Sequence, residues 1–393
     1  MSDRKAFYRP MTWNWQRSDW PNFSWDKTCL DSAEARFLRE AGVFVGSVKH
    51  LEPEDRDQLT VEAMSTEAVT TSEIEGEILD RASVQSSIRR QLGLAADNRR
   101  VKPAEQGIAE MMVNLYRGFA EPLSDETLFG WHNMLMHGKR GLGDVGRYRT
   151  DPEPMQVVSG AVHAPKIHFE APPSSEMPKE MKAFILWFNR TAPGGGQPLP
   201  ALTRAGVAHL YFVSIHPFED GNGRIGRAIA EKALAQGPGQ PALIALAATI
   251  LAKRKSYYDA LEAANKHNEI TGWLCWFAAT AIEAQLRAIG HVEFLIDKTR
   301  LLDRLRGQLS TRQEKALLRM LREGPAGFKG RLSASNYVSI TGASPATTTR
   351  DLADMVAKGA LIRVGERRHA RYHIAIPARP VTPVVVCGED APA

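Results

Sequence analysis

The stretch that decides the fold runs from His216 to Arg227 and reads His-Pro-Phe-Glu-Asp-Gly-Asn-Gly-Arg-Ile-Gly-Arg. It combines an imidazole, two adjacent carboxylates, three glycines and two arginines. Glycine lets the backbone approach phosphate oxygens closely, because it has no Cβ. Proline disfavours helix at the preceding residue, so we expect one helix to end at His216. A second helix starting near Asn222 would present its N-terminus, which attracts anions.

These residue types predict a phosphate cradle with a general base at its mouth. Arg224 and Arg227 lie three positions apart, so they would face the same side of the second helix. Glu219 and Asp220 could bring Mg²⁺ to bridging phosphates, since proteins usually hold this ion by one or two carboxylates plus substrate oxygens. Taken singly, a histidine at a helix end or a glycine-rich turn is more often structural. Their combination favours the functional interpretation.

The same stretch resembles the signature of the Fic family, His-x-Phe-x-(Asp/Glu)-Gly-Asn-Gly-Arg-x-x-Arg, with every specified position filled. The resemblance implies a mainly α fold, a helical core with a small β-hairpin flap. It implies transfer of AMP from ATP to a serine, threonine or tyrosine hydroxyl of a target protein. His216 would deprotonate that hydroxyl, Asp220 would hold Mg²⁺, and Phe218 would be a buried anchor. The residues implied to bind ATP and its phosphates are Gly221, Asn222, Gly223, Arg224, Ile225, Gly226 and Arg227.

A second motif lies upstream, at residues 71–76. Taken alone, a glutamate before a glycine at a helix end is simply surface charge. Beside a Fic-like core it resembles that family's inhibitory motif, (Ser/Thr)-x-x-x-Glu-(Gly/Asn), which Thr71, Glu75 and Gly76 match. The resemblance implies an ion pair from Glu75 to Arg227, which would take the arginine that the γ-phosphate needs. An autoinhibited enzyme is therefore expected.

Residues 155–160 form a short β-type run bounded by proline and glycine. In Fic proteins a hairpin ahead of the catalytic loop aligns the target by strand addition, a general mode of recognition. The candidate target-docking residues are Val158, Ser159 and Gly160. Residues 161–173 are expected to be an extended return.

Two further residues match a spacing found in similar proteins, where a tyrosine and an asparagine eight residues later contact the adenosine. They are Tyr257 and Asn265. Packing of a helix over 253–265 is the simpler explanation of both, and the two alternatives stay open here.

The composition limits the class of protein and the cellular compartment that we expect. Hydrophobic residues at 43% and charged residues at 24% are ordinary for a globular protein, and a net charge of +5 does not by itself indicate nucleic acid. Cys29, Cys275 and Cys387 are far apart and odd in number, which predicts no structural disulfide and a reducing compartment. Because neither a signal peptide nor a membrane-spanning run is recognised, we expect a cytoplasmic protein without a membrane partner.

The length of the chain predicts several domains. Trp13, Trp15, Trp20 and Trp25 near the N-terminus are expected to anchor an irregular segment onto the core. The expected divisions are a Trp-rich segment (1–52), a helical region with the inhibitory motif (53–100), a Fic catalytic core (101–290), a connecting helix (291–310), a winged-helix-like domain (311–378) and a flexible tail (379–393).

The winged-helix expectation rests on a pattern of three helices and a basic two-stranded hairpin. A capping box at Thr311 would start the first helix, and Ser344 would cap the third. In this winged helix-turn-helix, exposed residues of the third helix would face DNA, and arginines of the hairpin would meet phosphates. The residues concerned are Thr347, Thr348 and Arg350, then Arg363, Arg367, Arg368 and Arg371. Such domains also mediate dimerisation or dock other proteins, so a homodimer or a protein partner is an alternative to DNA binding.

Two other functions compete with adenylyl transfer. The same site could remove AMP from a modified protein, with Glu75 positioning water. Alternatively, the chain could be a DNA-binding regulator whose Fic core senses nucleotide.

Overall fold

A computed structural model describes residues 12–161, 164–241, 243–324, 327 and 331–387 of the chain. These residues form fourteen α-helices and two antiparallel two-stranded sheets, so the predicted mainly α fold is confirmed. The chain divides into two compact units. The first comprises the described parts of 1–42, 57–285 and 383–393, and the second comprises those of 43–56 and 286–382.

The bounds of the elements, in chain order, are α1 (Asp31–Lys49), α2 (Pro53–Ile74), α3 (Arg81–Gln91), α4 (Pro103–Arg117), α5 (Asp125–Leu135), β1 (Gln156–Ala161), β2 (Ala164–Glu170), α6 (Met177–Arg190), α7 (Ala201–Ile215), α8 (Asn222–Gln236), α9 (Leu246–Ala252), α10 (Arg254–Ala264), α11 (Thr271–Leu305), α12 (Thr311–Leu321), α13 (Ala334–Thr341), α14 (Pro345–Ala357), β3 (Leu361–Val364) and β4 (Arg371–Ile374).

Helices α7 and α8 form the centre of the first unit. Almost every side chain of α7 is buried, as expected from its apolar sequence. Its N-terminus is capped from α1, because the Glu34 carboxylate accepts hydrogen bonds from the backbone N–H groups of Leu202 (3.0 Å) and Thr203 (2.7 Å). α7 ends at His216 and α8 begins at Asn222, as predicted. The signature loop therefore joins two helices of the core.

Trp13, Trp15 and Trp20 pack onto the core, as expected. Trp13 is buried and meets the ring of Phe169 edge-on at 5.4 Å between centroids. Trp20 contacts Tyr211 of α7 in the same way at 5.2 Å. Aromatic pairs of this geometry stabilise a segment that has little regular structure of its own.

The predicted hairpin is present, and the extended return is its second strand. β1 pairs with β2 in antiparallel register, with Ser159 opposite Lys166 and Gly160 opposite Pro165. A bulge lies between Val157 and Val158. Such a two-stranded ribbon has unpaired backbone groups along its outer edges.

The second unit contains α12, α13, α14 and then β3 paired with β4, the order that the sequence predicts. Two details differ. The first helix is capped by Ser310, whose backbone N–H donates to the Gln313 side chain at 2.8 Å, and Thr311 is already helical. Thr348 is 1% exposed and packs inward, because it lies on the inner face of α14. The side chain of Arg368 lies outside the described residues.

The expectation of no structural disulfide is wrong. Cys275 of α11 is bonded to Cys387, 112 residues later, while Cys29 is a free thiol. Distance along the chain did not exclude the bond, because the C-terminal segment returns to α11. Within the described residues, no helix has the length and apolar character needed to cross a membrane.

Candidate active site

His216 lies at the junction predicted from its proline neighbour. Its backbone is left-handed (φ 53°, ψ 58°), which ends α7 and turns the chain into the loop. The Nδ1–H group donates to the Val213 carbonyl at 3.3 Å, so Nε2 is left as the acceptor. Burial lowers the pKa of His216 to about 4. The ring is therefore neutral near pH 7, as a general base must be.

The loop between the helices is fixed from within. The Asn222 side chain accepts from the Phe218 N–H at 3.0 Å and donates to the Phe218 carbonyl at 2.7 Å. The Phe218 ring is fully buried and stacks on His132 at 4.2 Å between centroids. The predicted anchoring of Phe218 is thus present, and it fixes the position of His216 relative to the N-terminus of α8.

Arg149 adds a restraint that the sequence did not reveal. Its Nε donates to the His216 carbonyl at 2.9 Å, and its NH2 donates to the Pro172 carbonyl just after β2. The segment that follows the hairpin is thereby tied to the signature loop.

Asp220, the candidate metal ligand, is held by two cations. Lys139 Nζ lies 2.6 Å from its carboxylate and Arg224 lies 3.2 Å away. Burial alone would raise the pKa of Asp220, but the Lys139 hydrogen bond and the Arg224 charge keep it below the usual value. The group is therefore an ionised carboxylate. An ionised carboxylate fits Mg²⁺ held by one carboxylate plus phosphate oxygens. In the described part of the chain, no group of three or more His, Cys, Asp or Glu could hold a metal ion.

Arg227 is 1% exposed, and acceptors at the C-terminal end of α2 take most of the hydrogen bonds of its guanidinium. Its Nε donates to Thr71 Oγ1 (2.7 Å), and its NH2 donates to the Thr71 carbonyl (2.8 Å) and to Glu75 (2.7 Å). The ion pair expected between Glu75 and Arg227 is therefore present. A Cβ added at Gly223 would overlap the Glu75 carboxylate, so this carboxylate lies against the N-terminal turn of α8. That is where a helix would receive an anion.

A second carboxylate from the same segment contacts the other signature arginine. Gly76 turns the chain after α2 with φ 83°, and Glu77 then reaches Arg224 NH1 at 2.7 Å. Arg224 is 3% exposed, so this pair is largely shielded from water. The motif match did not identify Glu77, because its role depends on the turn at Gly76.

The predicted adenosine-contacting residues are buried beside this site. The Tyr257 hydroxyl hydrogen-bonds His209 Nε2 at 2.9 Å, and Asn265 accepts from Ser214 at 3.3 Å. Tyr258, which is 40% exposed, donates to the carbonyl of Ile74 at the end of α2 at 3.4 Å. Tyr258 is therefore more accessible to solvent than Tyr257.

The structure does not bring all predicted phosphate ligands to the cradle. Ile225 is buried, and its N–H already bonds to the Gly221 carbonyl at 3.0 Å. Gly226 lies where α8 meets α7, since a Cβ there would come within 2.9 Å of Val213. The residues that do gather around the start of α8 are His216, Asp220, Gly221, Asn222, Gly223, Arg224 and Arg227, with Thr71, Glu75 and Gly76 facing them.

The flap residues lie on β1. Val158 is 50% exposed, Ser159 is exposed, and Gly160 has φ 93°. All three residues are therefore exposed on the hairpin.

Comparison with known sequences identifies two regions. The profile described as Fic/DOC family matches residues 122–234, and that described as Domain of unknown function (DUF4172) matches residues 13–94. A protein adenylyltransferase Fic of Nematostella vectensis is 30% identical over 135 residues. The aligned part covers 34% of this chain and 27% of that protein, so the chain spans about a quarter of that relative.

Two solved structures align with this chain. A Fic family protein from Desulfovibrio desulfuricans G20 aligns with a TM-score of 0.50 and 19% identity, covering 87% of this chain and 95% of that chain. A Fic domain containing signaling protein from Bacteroides thetaiotaomicron VPI-5482 aligns with a TM-score of 0.49 and 18% identity over 67% of this chain and 97% of that one. At such identity the first alignment shows likeness of fold alone. With the profile match and the complete signature on α7 and α8, residues 122–234 are a domain of the Fic/DOC family.

Proposed function

We propose that this protein is a Mg²⁺-dependent protein adenylyltransferase, which transfers AMP from ATP to a serine, threonine or tyrosine hydroxyl of a target protein. One observation carries the proposal. A neutral His216 with a free Nε2 adjoins a helix N-terminus that bears Arg224 and Arg227. This arrangement supplies a base for the nucleophile beside a binding site for polyphosphate.

In this proposal His216 Nε2 takes the proton of the target hydroxyl while its oxygen attacks the α-phosphorus. The bond to the β-phosphate oxygen breaks, and pyrophosphate leaves. The free N–H groups at the start of α8 and the Arg224 guanidinium would hold phosphate oxygens, and Arg227 would hold the γ-phosphate. Asp220 would hold Mg²⁺, which offsets negative charge on the phosphates. The hairpin would align the target through main-chain hydrogen bonds along β1.

We further propose that the described conformation is inhibited. Glu75 and Glu77 pair with the two arginines that the phosphates need, and the Glu75 carboxylate lies against Gly223. Lys139 pairs with the candidate metal ligand Asp220. ATP binding would have to displace these partners. If displacement costs about 3 kcal/mol, activity is suppressed about 100-fold.

The test is label transfer from α-phosphate-labelled ATP with Mg²⁺ into a native lysate. Glu75→Gly should raise labelling about 100-fold over wild type, and adding His216→Ala should abolish it. Glu73→Gly, in the last turn of α2 two residues before Glu75, is the matched control and should leave labelling near wild type. Absence of any labelled protein with Glu75→Gly, while the variant remains folded, would overturn the proposal.

Removal of AMP from a modified protein is the alternative reaction at this site. In this reaction Glu75, whose side chain is 32% exposed, would orient the attacking water molecule. Release of AMP from a pre-modified target by wild type, lost in Glu75→Gly, would support this direction of reaction.

For the second unit we propose a winged-helix module that binds DNA. Arg350 on α14 and Arg363 on β3 are exposed, and Arg367 lies between the strands. A DNA mobility shift that weakens with salt and with Arg363→Ala would support it. No shift at low salt, together with a dimeric mass in solution, would instead support the homodimer.

We retain a cytoplasmic location as a proposal. The Cys275–Cys387 bond is the observation against it, because cytosolic thiols are usually kept reduced. Cell fractionation with a tagged full-length chain tests the location directly.

A further inference from the structure

A cavity of about 710 Å³ is formed by residues of the second unit alone. Its described lining comes from α11, the end of α12 and the glycines after it, Arg331, and β4 with the segment that follows it. Arg350, Arg363 and Arg367, which are proposed above to face DNA, are not among these residues. Sites for small organic ligands usually measure about 300–1,000 Å³, so this cavity has room for one such molecule.

The charge around the cavity is of one sign. Its basic side chains are Arg287, His291, Arg331, His373 and Arg379, and no Asp or Glu is among the lining residues that the structure describes. Arg379 is already paired, since its guanidinium lies 2.7 Å from Glu293 and 2.8 Å from Asp297 of α11, and Asp297 also pairs with Arg300 at 3.7 Å. Arg287 and Arg331, in contrast, have no carboxylate partner within the described residues. Cations without a fixed counter-ion around a concave site favour an anionic ligand.

Arg331 and His373 face each other across a backbone bridge. The Leu332 N–H donates to the Tyr372 carbonyl at 3.2 Å, and the Tyr372 N–H donates to the Leu332 carbonyl at 2.8 Å. Because this pairing is antiparallel, Arg331 lies opposite His373. Burial, followed by the positive charge of Arg331, lowers the pKa of His373, as a close approach of the two side chains requires. An anion between them would be contacted from both strands.

The backbone of Arg331 is left-handed, with φ 64°. This conformation is unfavourable for a residue with a long side chain and persists where surrounding contacts impose it. Here the bridge at Leu332 fixes the next residue. Glycine or asparagine would adopt the same turn with less strain. The arginine therefore contributes a charged donor at this point of the cavity and not a preferred turn residue.

Other parts of the lining are apolar. Phe294 of α11 and Met320 of α12 are buried, and Ile374 and Ile376 are half-buried on β4 and just after it. Ligand sites commonly combine such surfaces with a few polar groups that orient the ligand. An occupant of this cavity therefore needs an apolar or aromatic body as well as a negative charge.

We propose that the second unit binds a small organic anion in this cavity, a carboxylate or a phosphate ester with an apolar or aromatic body. Arg287, Arg331 and His373 would bind the anionic group, and Phe294 and Met320 would contact the body. Guanidinium groups suit both kinds of anion, because their N–H donors match two oxygens at once. The site is independent of the proposed adenylyl transfer, and its ligand would be bound without reaction.

The experiment is isothermal titration calorimetry of the full-length protein with 1-naphthyl phosphate and with 1-naphthoate at constant ionic strength. The ratio of their affinities tells which anionic group the site prefers. 1-Naphthol, which offers the ring alone, and inorganic phosphate, which offers the charge alone, are the matched probes. We expect saturable binding of the preferred naphthyl anion, and binding of 1-naphthol and inorganic phosphate that is weaker by about tenfold or more.

Variants of the cavity and of other arginines locate the bound probe. Arg287→Gln and Arg331→Asn should each weaken binding of the preferred anion about tenfold, because each removes a charged hydrogen-bond donor. Asparagine tolerates the left-handed backbone of Arg331, so this change removes the charge without straining the turn. Arg363→Gln, on the exposed part of β3, and Arg224→Gln, in the signature loop, are the controls and should bind as wild type does.

Several results would overturn the inference and leave the proposed adenylyl transfer standing. One is the absence of saturable binding of both naphthyl anions at millimolar concentration, and another is equal affinity for 1-naphthol. Loss of binding in Arg224→Gln alone would place the probe at the signature loop. Equal loss in Arg363→Gln would assign binding to the general positive charge of the unit and not to the cavity.

Discussion

Two carboxylates, Glu75 and Glu77, stand two residues apart and contact different arginines of the signature. Glu75 pairs with Arg227 from the end of α2, and Glu77 pairs with Arg224 after the turn at Gly76. Both guanidiniums are almost fully buried, so each carboxylate accepts hydrogen bonds that water would accept from an exposed arginine. At this scale the inhibition that we propose is a competition between a carboxylate and a phosphate for one guanidinium.

Glu77→Gln should therefore raise the rate of label transfer on its own. A hydrogen bond to a charged group contributes about 1.5–3 kcal/mol, so we expect a rise of about tenfold. Combined with Glu75→Gly, it should lower the KM for ATP further. Steady-state labelling over a range of ATP concentrations measures both. An unchanged KM for ATP in the double variant would show that Glu77 does not compete with phosphate.

Lys139→Met should change the dependence on Mg²⁺. The Lys139 ammonium lies 2.6 Å from the Asp220 carboxylate, so a metal ion has to displace it. We expect the Mg²⁺ concentration for half-maximal activity, measured in the Glu75→Gly background, to fall several-fold. Arg140→Met, at the next residue, is the control. A higher Mg²⁺ requirement in Lys139→Met would contradict this role of Lys139.

Between elements, α2 is held to α8 by more than the ion pair of Glu75 and Arg227. Glu67 of α2 and Glu231 of α8 are both buried, and a hydrogen bond joins their carboxyl groups. Burial raises the pKa of Glu67 to about 7, and that of Glu231 is also raised. Glu67 additionally accepts the N–H of Ala247 at 2.8 Å, which caps α9. The contact between the helices therefore depends on a shared proton.

This contact predicts the pH dependence of stability. The pKa of Glu67 is higher in the folded than in the unfolded state. The stability that its protonated carboxyl gives to the fold is therefore complete below about pH 4.5 and is lost as pH rises through about 7. Glu67→Gln stays neutral at every pH. Between pH 5 and 8.5, the free energy of unfolding of Glu67→Gln should rise relative to that of wild type by roughly 2–3 kcal/mol, as measured by thermal unfolding. Glu54→Gln, exposed on the same helix, should show no such trend, and a constant difference for Glu67→Gln would contradict the shared proton.

At the scale of the whole molecule, the Cys275–Cys387 bond ties the C-terminal segment to α11 in the first unit. The segment is also held by the Val384 N–H, which donates to Glu283 at 2.9 Å. In the chain-entropy model, closing a loop of this length raises the free energy of the unfolded state by about 4–5 kcal/mol.

Cys387→Ser should therefore lower the unfolding temperature by about 5 °C or more. Reducing agent should do the same to wild type, and Cys29→Ser should not. Thiol titration of the denatured, unreduced protein should find one free thiol, that of Cys29. Three free thiols would show that the bond is not formed in solution.

The sequence by itself determined what short-range geometry controls. Pro217 ends α7 at His216, glycines permit the turn into α8, and the proline- and glycine-bounded run at 155–160 forms a strand. Each of these follows from the φ and ψ preferences of a few adjacent residues. The ion pair from Glu75 to Arg227 is present for a similar reason, since Glu75 follows directly on the last residue of α2, four residues after Thr71.

Only the tertiary structure decided the contacts that join distant segments. Arg224 and Glu77 are 147 residues apart, Lys139 and Asp220 are 81 apart, and His168 and Glu262 are 94 apart. The disulfide spans 112 residues, although the spacing and odd number of the cysteines predicted none. Long side chains with one charge can pair with any opposite charge that packing brings near, so their partners depend on how helices and hairpin pack and not on local sequence.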